Sequence, residues 1–157
     1  MCEGESYDCG FRIADCGFVV TTPTTRDVLQ RRMRILAVDT IRLTGDLSRT
    51  READVIGRQL IRSVTSLAPN YRSACRARSR REFIAKMGIV EEETDETAFW
   101  LELLGECALA PANRLGPLSR EAGELLAITV ASIRTARMGR RAARANPQSA
   151  IRNPQCS

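Results

Sequence analysis

Apolar residues recur along the middle of the chain at alternating spacings of four and three, the pattern of helices that bury one face. Leu29, Met33, Leu36, Thr40 and Leu43 form one such stripe, widened by Val28, Ile35 and Val38, and predict a first helix over about 25–43. Thr24 or Thr25 can cap its start, Asp27 suits the positive end of its dipole, and Gly45 ends it. A second helix, over about 51–78, starts behind Thr50 with Glu52 and Asp54 in its first turn. It turns Ile56, Leu60, Ser63 or Val64, Leu67, Tyr71 and Ala74 inward. Pro69 lies inside it, where it removes a backbone hydrogen bond and crowds the carbonyl four residues back, so a kink or a break is expected near residues 65–67.

A third helix, over about 80–108, opens with Ser79 and Glu82 at the spacing of a capping box. Phe83, Met87, Val90, Thr94, Thr97, Leu101, Leu104 and Ala108 then repeat at four and three, flanked by Ile84, Trp100 and Leu103. A fourth, over about 112–139, follows Pro111 and carries two lines, Leu118-Ala122-Leu125-Thr129-Ser132-Ala136 and Leu126-Val130-Ile133. Gly116-Pro117 can split off or kink its first turn. No segment alternates with period two. Short connections force neighbouring helices antiparallel, so the predicted fold is all-α, an antiparallel up-down-up-down four-helix bundle over 25–140, with tails 1–24 and 141–157 outside it.

Composition agrees with a bundle: aromatic residues make up 4% of the chain, which leaves an aliphatic core. The net charge is +5, and of 24 basic residues all but Lys86 are arginine. Arginine forks grip phosphate and carboxylate, which suits nucleic acid or an acidic protein partner. A GC-rich genome would give the same bias without any such partner. Histidine is absent, which removes Ser–His and Cys–His nucleophile pairs, histidine acid–base catalysis and the Glu-x-x-His di-iron site of bundles. Asp95 and Glu96 are adjacent and so point apart on a helix, leaving no paired carboxylates. No enzymatic activity, and no cofactor, is expected. Six cysteines occur without any C-x-x-C pair, so no metal site is expected, and Cys75 and Cys107 read as small buried hydrophobes. No apolar run approaches the ~20 residues that span a bilayer, and no signal peptide precedes the first cysteine. A cytoplasmic protein with no membrane partner is the expectation.

The charges are segregated. From Arg58 to Lys86 lie eight basic residues (Arg58, Arg62, Arg72, Arg76, Arg78, Arg80, Arg81 and Lys86) and one acid, Glu82. From Glu91 to Glu106 lie seven acids and no base. The third helix therefore begins basic and ends acidic, against its own dipole, which asks for compensation from outside. In one reading its acidic half, with Glu92, Glu93, Asp95, Glu96 and Trp100, meets an arginine-rich face of a second subunit, a head-to-tail contact that closes into a ring. In another, the eight basic residues meet phosphate, and Ser79 opens a helix N-terminus ready for an anion. The bland alternative is a solvated charged surface, since exposed ion pairs contribute only ~0–1 kcal/mol.

Both tails carry seven-residue repeats. Asp8-Cys9-Gly10-Phe11 recurs as Asp15-Cys16-Gly17-Phe18, and Asn146-Pro147-Gln148 recurs as Asn153-Pro154-Gln155. Back-translated, the first repeat has a reverse complement that reads close to the second. The tails are therefore expected to be translated copies of a short inverted DNA repeat, disordered or poorly packed. A gene whose two ends are not near-complementary would sink this reading. A cysteine-rich metal tail is the functional alternative, though its spacing lacks close ligand pairs.

The central motifs carry a resemblance. Gly57-Arg58-Gln59-Leu60, Asn70-Tyr71-Arg72, Cys75-Arg76-Ala77-Arg78-Ser79 and Glu82-Phe83 occur in order. Asp95-Glu96-Thr97, Trp100-Leu101-Glu102-Leu103-Leu104, Leu125-Leu126-Ala127-Ile128, Ala131-Ser132-Ile133 and Thr135-Ala136 follow. From about Arg26 to Arg140 the chain resembles the bacterial four helix bundle protein family, also called the 23S ribosomal RNA intervening-sequence protein family. That family is similar to the accessory protein of diversity-generating retroelements. The resemblance implies a small bundle assembling as a ring-like homo-oligomer, a pentamer, with RNA, DNA or a reverse transcriptase as candidate partner. Leu67-Ala68-Pro69 departs from the small residues usual there, which puts local helix geometry in question. The expected function is a non-catalytic oligomeric scaffold that associates with nucleic-acid backbone through arginine. The alternative is a ring-shaped adaptor for a protein such as a reverse transcriptase.

Overall fold

The computed structural model describes residues 24–144, with side chains through residue 138. The repeats in both tails lie outside the described residues. Four helices run in order: α1 (Thr25–Gly45), α2 (Arg51–Cys75), α3 (Arg80–Glu106) and α4 (Ala112–Arg144). Each packs on its two neighbours around a square, α1 on α2 and α4, α3 on α2 and α4, which is the antiparallel four-helix bundle that the stripes predict.

Local chemistry sets the helix ends. The Thr24 hydroxyl accepts the Asp27 N–H while the Asp27 carboxylate accepts the Thr24 N–H, a full capping box. Thr50 caps α2 by accepting from the Ala53 N–H at 3.2 Å. Helix α2 ends at Cys75, short of the expected Arg78, because Ser79 must sit extended (φ −145°, ψ 156°) to cap α3. Pro69 does not break α2, which runs through it as one helix. Nor does Gly116-Pro117 split α4, where Pro117 stands inside one 33-residue helix. Helix α4 passes the expected end at Gly139 and reaches Arg144, since no strong helix breaker occurs before Pro147.

The predicted stripes form the core. Met33, Leu36 and Leu43 of α1 meet Leu60, Val64 and Leu67 of α2, Met87, Val90, Leu101 and Leu104 of α3, and Ala122 and Leu125 of α4. Each of these fully buried Leu, Met and Val side chains contributes roughly 1.5–3 kcal/mol relative to exposure. Tyr71 joins this cluster, and burial pushes its hydroxyl pKa up to about 12. Val28, Ile35 and Val38 do not widen the α1 face as expected; they are 44%, 48% and 41% exposed. Helix α1 leans on α2 and packs only lightly on α4, so it buries little more than its central stripe. Cys75 is half-buried against the core as a small hydrophobe, whereas Cys107 is exposed and not the buried hydrophobe expected; both are free thiols.

A band of hydroxyls crosses this aliphatic core. Thr40, Ser63, Thr94, Thr97 and Thr129 have no exposed surface. Thr94 donates to the Val90 carbonyl and Thr129 to the Leu125 carbonyl. The Thr97 hydroxyl lies 2.8 Å from the Glu93 carbonyl and 3.0 Å from Ser63 Oγ, across the α2–α3 seam. Ser63 in turn donates to the Leu60 carbonyl. The Thr40 hydroxyl alone of the five has no partner.

Helix α3 stops with the Leu109 N–H on the Leu104 carbonyl and the Ala108 N–H on the Gly105 carbonyl. This is a Schellman closure, and it places Ala108 at φ 52°, a left-handed position where glycine is favoured.

Two substitutions should therefore stabilise the fold. Ala108→Gly relieves the left-handed Cβ and is expected to add about 1 kcal/mol. Thr40→Val removes an unpaired buried hydroxyl and is expected to add about 1 kcal/mol, whereas Thr97→Val removes the hydroxyl that bridges Ser63 Oγ and the Glu93 carbonyl at the α2–α3 seam and should cost about 1 kcal/mol. Urea unfolding followed by circular dichroism reads all three; a destabilised Thr40→Val would show that this hydroxyl has a partner in solution.

Candidate nucleic-acid interface

Up-down-up-down order brings the start of α1, the α2–α3 turn and the later turns of α4 to one end of the bundle. Arg76 and Arg78 lie in that turn, and Arg80 and Arg81 open α3; all four are exposed. Among the described residues none of them, nor Arg72, makes an ion pair. The other three predicted basic residues are engaged. Arg58 pairs with Asp54 at 2.8 Å, Arg62 approaches Glu96 at 3.7 Å, and Lys86 reaches Glu82 at 3.1 Å and Ser73 Oγ at 2.7 Å. The basic stretch thus divides into an unpaired end and a paired flank.

The fold adds arginines that sequence spacing did not assign to this end. Arg137 of α4 lines a cleft with Ser79, Arg80, Arg81 and Ile84. Arg31 and Arg34 of α1 line a second cleft with Arg72 and Asp27. In the sequence, Arg137 reads as a cation serving the negative end of its own helix. Only the antiparallel order sets it beside residues far away in the chain, and that order was the available signal. Arg32, by contrast, is structural. Its guanidinium holds Glu121 by two bonds of 2.7 and 2.9 Å and reaches Glu124 as well, tying α1 to α4. These bonds hold its pKa above the ordinary arginine value, with the Glu121 contact the main cause. Arg114 ties the other end of α4 to Asp46 at 2.8 Å.

At the α3 start the dipole conflict is answered locally. Ser79 Oγ accepts the Glu82 N–H at 3.1 Å. Glu82 accepts the Arg78 N–H at 2.8 Å, one residue before the cap, so the predicted box is shifted by one residue on its return bond. That backbone bond, then Lys86, holds the Glu82 carboxyl below its ordinary pKa.

The predicted acidic face splits in two. Glu92 and Asp95 point outward, exposed. Glu93, Glu96 and Trp100 share the flank that the Arg62 contact ties to α2. Glu93 Oε2 and Trp100 Nε1 are shielded from solvent without a hydrogen-bond partner, and Trp100 packs against the core. Phe99, which the sequence reading passed over, stands 53% exposed near Glu92 and Asp95, its ring edge-on to Trp100 with centroids 4.9 Å apart. Across the diagonal, α1 exposes Val28, Ile35, Val38 and Ile41 beside Arg31, Arg34 and Arg42. Among the described residues no three His, Cys, Asp or Glu gather as metal ligands, and no helix is long and apolar enough to cross a membrane.

Comparison with known proteins bears on this geometry. The family described as 23S rRNA-intervening sequence protein matches residues 26–131. A solved structure, of a protein of unknown function from the S23 ribosomal protein family of Bacteroides thetaiotaomicron, is similar at 28% identity and a TM-score of 0.64. The match covers 69% of this chain and 97% of that one. No curated protein matches.

Replacing Glu82 by Gln tests the charge at the α3 start. A carboxylate whose native pKa is lowered stabilises above its unfolded value of ~4.3 and loses that contribution as pH falls through the native value. The melting temperature of the wild type should exceed that of Glu82→Gln at neutral pH. The gap should close as the pH drops below about 4; a gap independent of pH would refute the role of the charge.

Proposed function

This chain belongs to the 23S rRNA-intervening sequence protein family, and from that premise we propose that it is a non-catalytic, self-associating scaffold whose arginine-rich end binds nucleic-acid backbone. One observation carries the reading: Arg72, Arg76, Arg78, Arg80 and Arg81 converge on one end without an acidic partner among the described residues. Arg32 and Arg114, which tie helices together, hold carboxylates. An unpaired cluster instead gains by neutralising phosphates and releasing their counterions, without reading base sequence.

Self-association is supported by the two diagonal corners. The ridge of Glu92, Asp95 and Phe99 on α3 is apolar at its centre and acidic around it, and the α1 ridge of Ile35 and Val38 is apolar with arginines around it. Unlike ridges on opposite corners favour a head-to-tail contact, which closes into a ring when the rotation permits. A pentamer is the ring size that the family resemblance implies.

Titration of a generic RNA duplex at two salt concentrations tests the nucleic-acid reading. Affinity should fall by orders of magnitude between about 50 and 200 mM salt if six or more phosphates are engaged. Binding that ignores salt overturns the reading. A stoichiometric protein partner recovered without nucleic acid, together with no RNA binding, would replace it with an adaptor for a protein such as a reverse transcriptase. For assembly, native mass measurement should find a multimer that Asp95→Arg dissociates; a wild-type monomer at micromolar concentration refutes the ring.

A further inference from the structure

Two clefts flank the start of α3 and meet at Ser79 and Arg80. The first, about 680 Å³, gathers Arg80, Arg81 and Arg137 around Ile84. Among the described residues no carboxylate lines it, and three arginines from two helices border one space. The N–H groups of Arg80 and Arg81, in the first turn of α3, have no carbonyl four residues back within the helix and add positive potential.

The second cleft, also about 680 Å³ and like the first lined mainly by apolar atoms, lies between Phe83 of α3 and Ile128, Ala131 and Ala136 of α4, with Ser132 and Thr135 among them. Its origin is a difference in helix length. Helix α4 has 33 residues and α1 has 21. Helix α1 is fixed to α4 through Glu121 and Glu124, near its own start. Beyond about Ile128, α4 therefore continues with no α1 beside it. Small side chains at Ala131 and Ala136 leave depth there, with the Phe83 ring along the wall.

We propose that the paired cleft binds one unit of a single-stranded nucleic acid, with a phosphate among Arg80, Arg81 and Arg137 and the adjoining base against Phe83 and Ile128. This rests on the nucleic-acid reading above and narrows it to single strands. Apolar and aromatic surface accepts any unstacked base, and arginines track the backbone, the combination by which proteins hold single strands without sequence preference. A duplex offers the same phosphates but keeps its bases stacked, so it engages the arginine cleft alone.

Fluorescence anisotropy on the full chain tests it, with a labelled single-stranded oligouridylate and an RNA duplex of equal length at the same salt. The wild type should bind the single strand roughly tenfold or more tighter, the effect of stacking one base. Ala131→Leu, at an exposed position, fills the apolar cleft and should abolish that preference without weakening duplex binding. Ala136→Leu should do the same from the other side of the cleft. Arg137→Gln should weaken both ligands and reduce the salt slope by about 1. Equal wild-type affinity for the two RNAs, or an unchanged preference in folded Ala131→Leu and Ala136→Leu, overturns the base cleft and leaves the arginine end standing. Salt-insensitive or absent binding of both RNAs overturns the two readings together.

Discussion

The connection 76–79 between α2 and α3 is too short to let two helices of 25 and 27 residues do anything but fold back on each other. Its geometry is held at both ends. The Arg76 N–H bonds to the Ser73 carbonyl and closes α2, while Ser79 and Glu82 satisfy N–H groups that open α3. Once this hairpin forms, the Ser63–Thr97 contact and the leucines around it set the register of the seam. The other two helices then have one apolar groove to fill.

That same hairpin creates the electrostatic asymmetry. It places four exposed arginines within six positions, at a turn that cannot carry many carboxylates without disturbing its caps. Glu82 is the acid that fits, and it is occupied by the Arg78 N–H and by Lys86. The remaining charge stays on the surface. The acidic half of α3 lies toward the opposite end, where exposed Arg42, Arg49 and Arg51 lie as well, so the segregation of charge runs along α3 and not between two ends of the bundle.

Much of this was legible in the chain. Leu29, Met33, Leu36, Thr40 and Leu43 were read as one stripe, and all five are buried. Thr94, Thr97 and Thr129 were placed on core stripes despite their hydroxyls, and a helix accommodates them because each hydroxyl bonds a carbonyl one turn back. Periodicity failed where burial depends on neighbours. Val28, Ile35 and Val38 have the right chemistry for a core, but α1 packs only lightly on α4, which leaves them uncovered. Pro69 does not break α2: the packed Leu67 and Tyr71 on either side hold the helix together through it.

The candidate site divides along the same line. The helices, their order and the concentration of arginine from Arg58 to Lys86 are written in the chain, since propensity, periodicity and charge are properties of local stretches. Which arginines are available depends on how the helices pack. Arg58, Arg62 and Lys86 are drawn into pairs by Asp54, Glu96 and Glu82, while Arg137 arrives beside Arg80 and Arg81 from more than fifty residues away. Ion pairing and cleft formation depend on distances between helices and on their unequal lengths. No local pattern of residues encodes those distances.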